Sequence, residues 1–170
     1  MVSIANILIY ASYFSVLIPI FFLLRKKQNF AHSVLGILGI LIFISAFSDL
    51  LSYIVIRVGK PSILIVNIYF TAQFILLSYI YCIILKNRVS VYLGAFLYVG
   101  FFIINAIFFQ ALNEFQNWSR FIEGLILISC SLKYYIQLYK TNPAIDLIYF
   151  SSFWLNTAVF FYFSFNLFLF

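Results

Sequence analysis

Six apolar runs dominate this chain, at residues 4–24, 33–58, 63–85, 91–109, 121–139 and 145–170. Each is close to, or longer than, the roughly 20 residues a helix needs to cross the hydrocarbon core of a bilayer. The breaks between them hold charges and turn formers: Arg25–Asn29, Gly59-Lys60-Pro61-Ser62, Lys86-Asn87-Arg88, Gln110–Arg120 and Lys140–Ala144. Nothing alternates apolar and polar residues in segments of about ten, which is what a transmembrane barrel would need. With 66% hydrophobic and 8% charged residues, a soluble domain of this size would present a continuous apolar surface. The expectation is an all-α, polytopic transmembrane helix bundle of six spans, forming a single domain over residues 1–170. Lipid is its solvent, and there is no room for a separate soluble domain.

The net charge of +6 falls mostly between the runs, where it acts as an orientation signal and a headgroup contact. No basic stripe with interleaved exposed aromatics remains for nucleic acid. Arg25, Lys26, Lys27, Lys86, Arg88 and Lys140 lie in the odd-numbered connections, against Arg57, Lys60 and Arg120 in the even ones. The positive-inside rule then places the odd connections in the cytoplasm and the N-terminus outside, in a multi-pass cell-membrane protein. The first run ends in a basic cluster and has no cleavage site, so it reads as a retained span. The last run ends at Phe170 without a charge or polar tail, so either the last helix ends against the membrane surface or the chain is a piece of something longer, the second being the preferred expectation. Cys82 and Cys130 read as small buried hydrophobes. Pro19 is expected to kink the first span, and Ser33, Gly36 and Gly39 give the second a small-residue strip.

An ionisable group inside a span is expensive and is usually kept for a partner or a pathway. Asp49 is such a group, inside the run that starts at Ser33. Counting depth at about 1.5 Å per residue brings Asp49, Gln73, Lys133 and Asn156 to within about a turn of the midplane, on four different helices. Ser45, Asp49 and Ser52 share one side of the second span, and Tyr149, Ser152 and Asn156 share one side of the sixth. Asn67, Thr71 and Ser78 make a further polar edge on the third. This midplane cluster can be read as an Asp49–Lys133 pair with amide hydrogen bonds, as a ligand or signal pocket, or as an ion path. Glu123, three residues after Arg120, reads as a local helix pair near the outer face. Asp146 suits a helix N-terminus, and Trp118 suits an aromatic belt.

Two stretches carry a resemblance: Asn67-Ile68-Tyr69-Phe70-Thr71-Ala72-Gln73-Phe74-Ile75-Leu76-Leu77-Ser78-Tyr79, and Phe153-Trp154-Leu155-Asn156-Thr157 with the aromatic-rich 161–170. They resemble a group of poorly characterised bacterial multi-span proteins, some of which look like the membrane input region of sensor histidine kinases. The resemblance implies a signalling or accessory role in a bacterial inner membrane, with no catalysis in this part. Members often carry an acid where this chain has Gln73, so a charge-dependent role at that level does not carry over.

No HExxH, GxSxG or Walker-type loop occurs, so the reading is non-catalytic, with no metal and no cofactor. The expected function is a membrane sensory or accessory protein that couples its bundle to a protein partner or to a second copy. Two alternatives are a small transporter or channel subunit using the midplane polar layer, and a membrane regulator of a soluble effector in a bacterial defence system.

Overall fold

The computed structural model describes residues 33–86, 88–141 and 150–167. Among them there are five helices and no strand: α1 (Ser33–Arg57), α2 (Ile63–Ile84), α3 (Val89–Phe108), α4 (Asn117–Thr141) and α5 (Ser151–Leu167). The first four are long and apolar enough to cross a membrane. The described residues therefore hold four helices of spanning length rather than six. The expected first span, residues 4–24, lies outside them, together with Pro19. The expected sixth is represented by α5, whose 17 residues extend about 26 Å against a hydrocarbon core of about 30 Å.

The chain divides into two compact units, Met1–Leu76 and Leu77–Phe170. In the first unit, α1 closes on a Schellman motif. Gly59 has φ +78°, its N–H donates to Ile56 O, and the Lys60 N–H reaches back to Val55 O at 3.1 Å. Only glycine takes that left-handed position without a Cβ penalty, and the motif satisfies carbonyls that the helix end would otherwise leave bare. Pro61 follows and prevents α1 from continuing.

In the second unit α4 packs against both α3 and α5. The α3–α4 contact is close at Gly94, where an added Cβ would lie 2.9 Å from Ile126 Cγ2. The α4–α5 contact is close at Gly124, beside Leu167 and Phe163. Helices in lipid gain from such small residues because van der Waals packing replaces the hydrophobic drive. Further along, Tyr135 stands edge-on to Phe153 and Phe160, and its hydroxyl meets Thr157 Oγ1 at 2.8 Å. Partners on α5 fall in number as those on α4 rise, so the two helices run antiparallel.

Candidate functional site

A polar side chain inside a span must find a partner on its own helix or on a neighbour. The second unit does this in three places. The first joins α2, α4 and α5. Tyr81, buried near the end of α2, donates its hydroxyl to Asn156 Oδ1 at 2.9 Å. Asn156 Nδ2 donates to Ser131 O at 3.3 Å, and Ser131 Oγ returns a longer bond to Asn156 O at 3.4 Å. Asn156 thus ties three helices together through both ends of one amide. It is the sixth residue of α5, about 7.5 Å from the helix start, which puts the cluster toward the Lys86 end of the unit.

The second place is the end of α2 itself. The last carbonyls of a helix need outside donors, and here α4 supplies one. Gln137 Nε2 donates to Ile84 O at 3.2 Å, while Gln137 Oε1 accepts the Lys86 N–H at 2.8 Å. One glutamine both caps α2 and fixes the first residues of the following connection.

The third place is the connection between α3 and α4. The Asn105 carbonyl accepts two N–H groups, from Phe109 and Gln110. Its side-chain Nδ2 donates to Gln116 Oε1, with Gln110 Oε1 and Ser119 Oγ each at 3.1 Å. Gln116 Nε2 in turn holds the loop carbonyls of Gln110 and Ala111, at 2.7 and 3.0 Å. Asn105 is 0% exposed and Gln116 2%, so the loop folds down over a buried amide network rather than trailing in solvent. One turn beyond Ser119 is Glu123, also 2% exposed, whose nearest described opposite charge is Arg120. The Arg120 guanidinium lies 3.9 Å above the Phe115 ring. Glu123 Oε1 and Asn105 Oδ1 accept no hydrogen bond from any described residue. Each such buried acceptor costs about 1–3 kcal/mol, so the unit's uncompensated polar cost is concentrated at this end.

The residues expected at the midplane divide between the two units. Asp49, Ser45 and Ser52 are partly buried on α1. Gln73 and Asn67 are buried on α2, where Thr71 donates back to Asn67 O at 3.0 Å. In the second unit Asn156 is in the three-helix cluster and Ser152 is partly buried at the start of α5. Lys133 is exposed. It lies two residues past Ser131, about 200° round the helix, and so faces away from Asn156. Tyr149 and Asp146 lie outside the described residues. Glu123 is a buried side chain, where the sequence had placed it in a plain local pair near the outer face. Trp118 and Trp154 are both exposed, and both cysteines are free and buried.

Asn105, Gln116 and Ser119 were not expected as site residues. For Ser119 a signal was present in the spacing: Ser119, Glu123, Leu127, Cys130 and Tyr134 recur every three or four residues, which is one helix face, and all are buried. Among the described residues no group of three or more His, Cys, Asp or Glu could hold a metal ion. No protein-family model matches the chain, and neither a curated protein nor a solved structure shows significant similarity to it.

Proposed function

We propose that this chain is a membrane sensory or accessory protein that couples the packing of its helices to a protein partner and performs no catalysis. One observation carries the reading: the buried amides and hydroxyls of the second unit are engaged with one another across helices. Asn156 holds Tyr81 and Ser131, Gln137 holds the end of α2, and Asn105 holds Gln116 and Ser119. A transporter needs polar lining on both sides of its site so that access can alternate, whereas a coupling element needs only packings of similar energy that a partner can select. The resemblance read from residues 67–79, 153–157 and 161–170, to bacterial multi-span proteins of which some look like kinase input regions, points in the same direction.

Purified protein in liposomes, assayed for proton and small-cation flux, is expected to be tight. Robust flux abolished by Asp49→Asn would overturn the proposal in favour of a transporter or channel subunit. We also propose that the N-terminus is outside and that Lys86, Arg88 and Lys140 are cytoplasmic, following the distribution of basic residues. With Cys82 and Cys130 replaced, Asn113→Cys should react with an impermeant thiol reagent in intact cells and Asn87→Cys should not. The reverse pattern would invert the orientation.

A further inference from the structure

We propose that a cleft at the basic end of the second unit, between the ends of α2 and α4 and the start of α5, binds a phosphate-bearing anion. The proposal does not depend on the signalling reading. The cleft has a volume of about 540 Å³ and is lined by Lys86, Gln137, Leu138, Thr141, Phe150 and Ser152, among others. Sites for small ligands run from about 300 to 1,000 Å³, so a headgroup-sized molecule fits.

Its chemistry favours negative charge from several directions. Lys86 is exposed at the mouth, and its backbone is held by Gln137 at 2.8 Å, so the ammonium swings from a fixed base. Arg88, just before α3, and Lys140, in the last turn of α4, are exposed at the same end, outside the lining of the cleft. The two described acids of the second unit, Glu114 and Glu123, belong to the α3–α4 connection and the second turn of α4, at the opposite end, and Asp146, in the connection from α4 to α5, lies outside the described residues. α5 starts at the cleft: Phe150 O accepts the N–H groups of Phe153 and Trp154, which puts the positive end of a 17-residue helix beside the opening. The Ser152 hydroxyl adds a polar contact, the Thr141 hydroxyl being held by Gln137 O at 2.7 Å, while Leu138 and Phe150 give an apolar wall. A basic pocket between helix ends with one greasy side suits a lipid phosphate and its first glycerol carbons. Free phosphate has the same charge but no use for the wall.

The test uses the full chain in nanodiscs. In phosphatidylcholine discs containing a small fraction of phosphatidylglycerol, native mass spectrometry should show the anionic lipid retained on the wild-type protein. Lys86→Met keeps the backbone N–H that Gln137 holds, and should weaken retention about fivefold, the effect of one surface lysine on anionic lipid. Lys86→Arg should retain it, and Lys133→Met, on another face of α4, should leave it unchanged. A second arm titrates inorganic phosphate into discs of phosphatidylcholine alone. Lys86-dependent binding there, with no preference for phosphatidylglycerol, would identify the source as soluble phosphate. Lipid retention that millimolar phosphate does not displace would identify it as the headgroup. Equal retention by wild type and Lys86→Met with no Lys86-dependent phosphate binding, or equal losses in Lys86→Met and Lys133→Met, would overturn the proposal.

Discussion

α1 and α4 are both 25 residues long, and each carries one charge at its seventeenth position, Asp49 and Lys133. In other respects they are opposites. α1 is the more apolar of the two and the less buried. In water the greasier helix would be the buried one. In lipid an apolar face has nothing to escape from, so burial follows polarity: the groups that must turn inward are those lipid cannot satisfy. α1 accordingly leaves Phe43, Phe47, Leu50 and Ile54 exposed, while α4 buries Ser119, Glu123 and Ser131.

The most damaging challenge to this contrast is Asn105→Leu on α3, which takes a hydrogen-bond donor from Ser119 on α4. It removes the donor to Gln116 and Ser119 in a fully buried place, with a penalty of about 1–3 kcal/mol for each group stranded. Ser45→Leu on α1 should cost less than about 0.5 kcal/mol. Unfolding the purified variants in mixed micelles would compare them, and equal losses would remove the distinction between the helices.

Next in size is Gly94→Ala, whose new methyl meets the branched Ile126 Cγ2 at 2.9 Å. Overpacking of that kind costs about 1–3 kcal/mol. Gly124→Ala should cost less, since the flexible end of Leu167 at 3.2 Å can yield, and Gly100→Ala should be neutral or better, with nothing within 4 Å. The same unfolding assay ranks the three, and a large loss at Gly100 would contradict the packing described for α3.

The smallest effect is expected at Lys133→Met. The side chain is exposed and eight residues from the end of α4, about 12 Å along the axis. Its stem can snorkel toward that end, so the loss should stay within about 0.5 kcal/mol. A loss of several kcal/mol that Asp49→Asn restores would instead reveal the charge pair the sequence invites.

These cases show what was legible in the sequence. Runs of apolar residues and their Gly, Pro and Lys punctuation located α1 to α4 closely, because bilayer thickness fixes span length independently of tertiary contacts. Asn156 was legible as an inward residue because an amide inside a span has few alternatives. Its partners were not, since Tyr81 and Ser131 are unremarkable in a sequence with 13 tyrosines and only packing makes their hydroxyls meet it. Gln116 was hidden for another reason: a polar residue in a connection reads as solvated, and nothing local shows that the loop folds back onto α3. Depth counting also took every span as starting at its first apolar residue, whereas described α5 begins at Ser151. That moves Asn156 toward the helix start.

Polar contacts between helices, together with the close packing at Gly94 and Gly124, hold the second unit together. A double-mutant cycle on Tyr81→Phe and Asn156→Leu, read by reversible unfolding of the full chain in bicelles, tests it most directly. Phe keeps the ring, and Leu keeps the branched shape of the amide, so the coupling isolates the 2.9 Å hydrogen bond. A coupling of about 0.6–1.7 kcal/mol is expected, the upper half of what interhelical hydrogen bonds in membranes give. Strictly additive losses, with no coupling between the two sites, would contradict it.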